Sequence, residues 1–390
     1  MSDNTLMRRF PSSGYLEQQA AARLPNFVFD YLQGGSGRQC SLGRNMAAFE
    51  QVTLTPRCFN DCQEVDLGTT LFGRHYRLPF GIAPIGLDGL IWPRTVEFLA
   101  QAARQAGCPV TASTFATSSL EEVARLAGEM AWFQLYPFSD GAIEQDIMAR
   151  AGAAGYQVLM VTVDVPVGGR RELDMRNGLS LPPRLGGRVL LDMMRHPVWT
   201  LSHARRGPPG FKNLQPYRRH SNDYLPAKIA GRVPWARLVQ YRQRWPGRLL
   251  VKGVLRAEDA LRCRELGIDG IVISNHGGRQ LDSCPSTLGV LPDIRRAVGN
   301  DFPLIIDSGL RSGLDVARAI AQGADFALLG RTFMYGVAAL GQVGAGHAID
   351  MLSDELENAM QMMGCPDIAG LKRWHTGSTA QSGYIKGAGE

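Results

Sequence analysis

Eight short runs of the chain are almost continuously apolar. They are PFGIA (79–83), PVTAS (109–113), WFQLY (132–136), VLMVTVD (158–164), LLVKG (249–253), GIVISN (270–275), PLIIDSG (303–309) and FALLG (326–330). A strand with one wet face alternates polar and apolar residues, whereas an unbroken apolar run marks a parallel strand covered on both faces. Most of these runs are separated by Ala- and Leu-rich stretches with apolar residues near a 3.6-residue period: TVEFLAQAARQAGC, LEEVARLAGE, AIEQDIMARAGAAG, AEDALRCRELG and GLDVARAIAQGA. Several of these close on Gly, a natural helix stop. Eight strand-then-helix units in succession predict an α/β fold, a (β/α)8 TIM barrel. An open doubly wound sheet would share the alternation. The count of eight favours the barrel, as do polar residues at the strand C-termini all the way round.

Three pieces lie outside this pattern. Residues 1–75 form an N-terminal extension, with a helix expected around 26–32 that ends at Gly34-Gly35. Residues 180–235 form a long insertion after the fourth strand. The tail beyond Gly370 is rich in Gly, Ser and Thr and is expected to fray. The whole chain, 1–390, is read as one domain whose barrel spans 76–370.

Composition narrows the function classes. The chain is 45% apolar and 20% charged, an ordinary globular balance. No run is long enough to cross a bilayer. The start, MSDNTLMRRFPSSGY, has no apolar core of a secretory leader, so a cytoplasmic location is expected. The seven cysteines form no C-x-x-C pair or zinc ladder, so neither a structural metal nor a disulfide framework is expected. The net charge of +6 is local. Between Arg184 and His220, eight Lys/Arg face a single acid, Asp192, for a net +7. The remainder is nearly neutral, which argues against a nucleic-acid-binding face.

In a barrel of this type the site lies at the C-terminal ends of the strands. Those ends carry Pro84, Ile85 and Gly86; Ser113; Gln134 and Tyr136; Thr162, Asp164 and Arg171; Lys252; Ser274, His276 and Arg279; Asp307, Ser308, Gly309 and Arg311; and Gly330 with Arg331. An Asp–His pair across two strand ends would orient an imidazole and stabilise its protonated form. Arginines beside that histidine suit a carboxylate. DSGLRSG and LLGR place Gly and Arg where barrels commonly bind phosphate, with backbone N–H groups free to approach it. Lys252 suits a developing negative charge. No P-loop and no G-x-G-x-x-G fingerprint is present. The spacing suggests a phosphorylated planar cofactor such as FMN. A non-redox phosphate-binding barrel remains compatible with it.

SNHGGRQLD at 274–282 resembles the signature of the FMN-dependent 2-hydroxy acid dehydrogenases and oxidases. LPNFVFDYLQGG, APIGLDG, STFATSS, WFQLY, TVDVPVGGRRE, LVKGV, DSGLRSG and LLGR follow in the family's order, from about Leu24 to Ile368. RHPVW (195–199) and GCPDI (364–368) are most similar to its mandelate dehydrogenase branch.

The resemblance implies oxidation of an (S)-2-hydroxy acid to a 2-oxo acid with FMN. It implies His276 as the base, Asp164 as its partner, and Lys252 and Tyr136 as further catalytic groups. Tyr31, Tyr136, Arg171 and Arg279 would hold the substrate. Pro84, Ile85, Gly86, Ser113, Gln134, Thr162, Lys252 and Ser274 would line the flavin. Asp307 would bind its ribityl chain, and Ser308, Gly309, Arg311, Gly330 and Arg331 its phosphate. Electrons would pass to a quinone or other acceptor, or to oxygen in the oxidase alternative. Gly86, where many oxidases carry Ala, leans toward a dehydrogenase. Family habit implies a homotetramer. The chain departs from the family at Ser36-Gly37-Arg38 and Asn177-Gly178-Leu179, both on the approaches to the site. In the insertion, Met193, Met194, Trp199, Leu201 and Phe211 mix with basic residues. That mixture suits an anionic membrane surface bound through 184–220, and the resemblance implies a seat on the cytoplasmic face of the inner membrane. A solvated mobile lid is the alternative.

Overall fold

The computed structural model describes residues 3–179, 186–220, 231–374 and 376–378. All eight apolar runs are strands of one closed parallel barrel. They are β1 (Phe80–Ile82), β2 (Val110–Ser113), β3 (Ala131–Leu135), β4 (Val158–Thr162), β5 (Arg248–Val254), β6 (Gly270–Ile273), β7 (Leu304–Ile306) and β8 (Phe326–Leu329). Each strand pairs with the next in sequence, and β8 returns to β1 with Ala327 opposite Phe80. The five periodic stretches are helices Thr95–Ala106, Leu120–Ala127, Gly141–Ala153, Ala257–Glu265 and Gly313–Ala321.

The pleat decides what each strand presents inside. In β3, Phe133 and Leu135 pack outward against the helices, while Trp132 joins the barrel interior. That interior holds Val158, Met160, Leu250, Val272, Ile305, Phe326 and Leu328 as well. A hairpin of Thr69–Leu71 and Arg74–Tyr76 closes the floor. There Trp132 Nε1 donates to Tyr76 Oη at 3.2 Å. Each of these large buried side chains contributes roughly 1.5–3 kcal/mol by leaving water. Toward the opposite end of the strands the lining changes character. Ser113, Gln134, Thr162, Lys252 and Ser274 are all buried there, and they bond to one another.

The extension folds as helices, among them Ser13–Arg23, Asn26–Gln33 and Cys40–Glu50. The second of these is the expected one, and it brings Tyr31 to the barrel mouth. Helices Thr287–Val298 and Gln342–Met363 escaped the periodicity reading, the first because Pro292 sits inside it. The insertion contains helices Gly187–Arg195 and Pro197–Ala204 and a 3-10 segment, Lys212–His220. Its expected end at 235 is already the start of helix Trp235–Arg244, which precedes β5. Positions 180–185 and 221–230 of the insertion lie outside the described residues. The tail is tied down as far as Thr376–Ser378, which pairs antiparallel with Val52–Leu54. The fraying expected further on falls on 379–390, outside the described residues.

The insertion sorts its apolar residues differently from the expectation. Trp199 is buried, and its Nε1 donates to the Leu90 and Ile91 carbonyls at 3.1 Å each. Met193 and Phe211 pack against the core. The apolar side chains left exposed are Leu190, Leu191, Met194, Val198 and Leu201.

Candidate functional site

A cavity of about 870 Å³ opens at the C-terminal ends of the strands. All but three of the candidate residues line it. The exceptions, Ser113, Asp164 and Ser274, each hydrogen-bond a lining side chain: Gln134, His276 and Lys252 respectively. Asp164 Oδ1 lies 3.0 Å from His276 Nδ1, and Tyr136 Oη lies 3.1 Å from His276 Nε2. The carboxylate only accepts, so Nδ1 carries the proton and Nε2 faces the cavity with its lone pair. Burial would raise the Asp164 carboxyl, but the adjacent His276, with Lys252 further off, holds it below its ordinary range. Burial and the Asp164 charge together raise the Tyr136 phenol, so it stays protonated.

The backbone that delivers His276 is unusual. His276, Gly277 and Gly278 all have positive φ, at 60°, 67° and 74°. For the two glycines this costs little; for a histidine it is strained, and the surrounding bonds must enforce it. A Cβ at position 277 would come within 2.8 Å of Arg331 Nη1, and one at 278 within 2.7 Å of Leu42 N. His276 N is held by Ser274 Oγ (3.0 Å) and Gly277 N by Ser308 Oγ (2.9 Å). Gly253 serves the same end on β5. The register shifts there, and a Cβ would lie 2.4 Å from that of Asp164.

Lys252 Nζ donates to Ser274 Oγ (2.8 Å) and pairs with Asp307 Oδ2 (2.9 Å). Burial works against its charge, but Asp307 and Asp164 outweigh burial and raise its pKa. Gln134 is fixed from both sides. Its Oε1 accepts from Ser113 Oγ (2.9 Å) and its Nε2 donates to Thr162 Oγ1 (2.7 Å).

Across the mouth, Arg279 and Arg171 flank the Tyr31 ring, with guanidinium carbons 4.9 and 5.7 Å from its centroid. Arg279 Nη1 donates to the Tyr31 and Gly34 carbonyls at 2.7 and 2.9 Å. Tyr31 Oη donates to Gly86 O at 3.0 Å. Burial, and then the charge of Arg171, lower the Arg279 pKa. Arg279 is bonded there only to neutral carbonyls, and its guanidinium beside that of Arg171 suits an anion at the mouth. Asp174, which the sequence reading passed over, pairs with Arg171 at 3.1 Å. Its i,i+3 spacing was the available signal. Asn45 was also missed. It exchanges amide hydrogen bonds with Asn275 (2.7 and 2.8 Å), and its carbonyl lies 2.7 Å from where a Cβ on Gly309 would stand.

At the ends of β7 and β8 the cations are less well served. Arg331 donates to the Leu32, Gly34 and Gly277 carbonyls. Its pKa is pushed down to about 9 by burial and then by Arg311 and Arg279. Arg311 Nη2 is buried with no hydrogen-bond partner among the described residues. A buried, unpaired guanidinium N–H beside a second arginine and two cavity-lining glycines, Gly309 and Gly330, has the donor chemistry of a phosphate cradle.

Residues 20–377 match the FMN-dependent dehydrogenase family. The chain is 39% identical over 369 residues to an L-lactate dehydrogenase of Xanthobacter autotrophicus, covering 93% of this chain and 95% of that one. It is 38% identical over 353 residues to an (S)-mandelate dehydrogenase of Pseudomonas putida, covering 90% and 89%. The crystal structure of the monotopic membrane protein (S)-mandelate dehydrogenase superposes with a TM-score of 0.90 at 36% identity, over 95% of this chain and 99% of that one. A crystal structure of mandelate oxidase gives 0.82 at 35% identity, over the same shares. The barrel, the arginine-lined cradle and these matches agree, and the chain belongs to the FMN-dependent dehydrogenase family.

Proposed function

We propose that the chain oxidises an (S)-2-hydroxy acid to the corresponding 2-oxo acid, with FMN in the barrel mouth. The observation that carries this reading is the placement of His276 Nε2 on the cavity wall, backed by Asp164 and flanked by Arg171 and Arg279. A base and a carboxylate clamp on one rim match the two ends of a 2-hydroxy acid. The residues also fit FMN. The unpartnered Arg311 Nη2 and the crowded Arg331, with Ser308, would hold the phosphate, Asp307 the ribityl hydroxyls, and Gln134, Thr162 and Lys252 the edge of the ring. Bound there, FMN supplies the two-electron acceptor.

The chain's own groups do the rest. Arg279 and Arg171 bind the carboxylate and orient C2 toward His276. Tyr136 Oη hydrogen-bonds the substrate oxygen. His276 Nε2 takes the substrate proton, and Asp164 steadies the imidazolium that results. Lys252 holds positive charge where electrons arrive. The test is anaerobic mixing of the yellow holoenzyme with 2-hydroxy acids of both configurations. Bleaching of the flavin absorbance by an (S)-acid is expected. Failure of every acid to bleach it ends the reading.

The acceptor we propose is a membrane quinone, reached from a peripheral seat on the membrane. Leu190, Leu191, Met194, Val198 and Leu201 are exposed on two adjacent helices, among Arg188, Arg195, Arg205 and Arg206. Exposed apolar side chains among arginines suit an anionic lipid surface. No helix among the described residues is long and apolar enough to cross a membrane. Sedimentation with anionic vesicles should carry the protein down, and L190E/L201E should stay in the supernatant. Equal sedimentation of both removes this face from the reading. Turnover with a quinone compared with oxygen separates dehydrogenase from oxidase.

A further inference from the structure

The rings at the site continue past the Asp164–His276 pair. Centroid to centroid, Tyr136 lies 6.2 Å from His276, Phe115 lies 5.0 Å from Tyr136, and Phe211 lies 5.2 Å from Phe115. All four line the cavity. The first three follow barrel strands, but Phe211 belongs to the insertion.

What fixes Phe211 is Asn213, two residues further on and fully buried. Its Nδ2 donates to the Ser113 and Thr114 carbonyls at 3.1 and 3.3 Å, and its Oδ1 accepts from Leu120 N at 2.7 Å. One amide thereby bridges the end of β2 and the start of the helix after it. Lys212 N adds a bond to Ala116 O (3.3 Å), and Arg150 Nη1 donates to Asn213 O (3.1 Å). Dislodging a buried amide strands each of these partners unpaired, so the returning segment of the insertion is stapled to the barrel.

We propose that Phe211, positioned by Asn213, is a specificity-determining residue. With Phe115 it makes an aromatic wall beside the reacting carbon. That wall selects 2-hydroxy acids carrying a ring or another bulky apolar side chain over lactate. The inference rests on the 2-hydroxy acid reading above. With the carboxylate held at Arg171 and Arg279, an apolar substituent on C2 avoids desolvating those cations by turning to the rings next to Tyr136. Ring edges and faces there repay burial of another ring, whereas a methyl group leaves most of the wall uncovered.

The test is the ratio of kcat/KM for (S)-mandelate to that for (S)-lactate, measured on the full-length FMN-loaded enzyme with a dye acceptor. The wild type should favour mandelate by about tenfold or more. F211A should lower that ratio about tenfold, chiefly through the KM for mandelate, and F211L should recover part of it. N213A should lower the ratio in the same sense with Phe211 still present. F211A and F211L leave the staple intact, so they report even if N213A folds poorly. Parallel losses for both acids, or an unmoved ratio in F211A, overturn the proposal. A wild type that prefers lactate overturns it too and leaves the 2-hydroxy acid reading standing. A wild type that oxidises no 2-hydroxy acid overturns that reading itself.

Discussion

The two ends of the cavity are built on different terms. Around His276 the protein supplies most partners itself: Asp164 to Nδ1, Tyr136 to Nε2, Ser274 to the backbone N–H, and Asp307 to the neighbouring Lys252, with one acceptor, Asp164 Oδ2, left without a hydrogen bond among the described residues. Around Arg311 it leaves a donor unmet, although Arg331 donates to three carbonyls. There two arginines crowd each other, and one N–H finds no acceptor. The first end is preorganised, so its polar groups need not move as charge develops in the reaction. The second stores unmet donor capacity that a bound anion releases as affinity. Loss of a residue should therefore act on rate at one end and on cofactor retention at the other.

The largest effect should come from the finished end. His276→Asn should lower kcat by about 10³-fold or more, and Asp164→Asn by about 10²-fold, with FMN content unchanged by absorbance. Loss of FMN from either variant would blur the division between the ends. At the unfinished end, Arg311→Met removes a charge-assisted bond worth about 1.5–3 kcal/mol. The FMN dissociation constant, read from quenching of flavin fluorescence, should rise roughly 10- to 100-fold. A fall in the kcat of the FMN-saturated variant comparable to that of His276→Asn would erase the distinction. A smaller effect follows for the FMN-free protein: inorganic phosphate should raise its Tm with increasing concentration, as for any ligand that binds only the folded state. Arg311→Met should flatten that response, and Asp164→Asn should not.

The smallest effect lies behind the Arg311 loop. Glu355 Oε2 accepts from Gly313 N at 2.7 Å, and burial, together with Asp315 and Asp354, raises its pKa from 4.5 to about 7. The folded state therefore holds this proton more tightly than the unfolded state. Stability falls as pH rises from about 4.5 through about 7, and the cost is complete above that. Glu355→Gln keeps the acceptor without the charge. It should raise Tm by about 2 °C at pH 8 and not at pH 4. An equal shift at both values would assign the effect to packing.

Much of this was legible in the chain. Unbroken apolar runs such as GIVIS and FALLG can be satisfied only when covered on both faces, so eight of them with intervening amphipathic stretches already imply the barrel. Residues one or two steps beyond each run then have to fall at one rim, which is why His276, Asp164 and Lys252 could be named together. Helix Thr287–Val298 was not legible, because Pro292 breaks the local signal while packing of Leu288, Leu291 and Ile294 sustains the helix. The insertion was read for its composition alone. Nothing local distinguishes Trp199, which turns inward to the Leu90 and Ile91 carbonyls, from Leu201, which stays exposed.

By itself, then, the sequence determined the barrel, the rim on which chemistry stands, and the family. Periodicity and strand-end residues are local properties, and the fold converts them directly into position. Only the tertiary structure decided that His276 takes up a left-handed backbone between Ser274 and Ser308. It alone decided that Arg311 keeps an unpaired N–H, and that Asn213 brings Phe211 from a distant insertion to the Phe115 ring. Those features depend on contacts between segments far apart in sequence, and no local pattern encodes which carbonyl a buried amide will find.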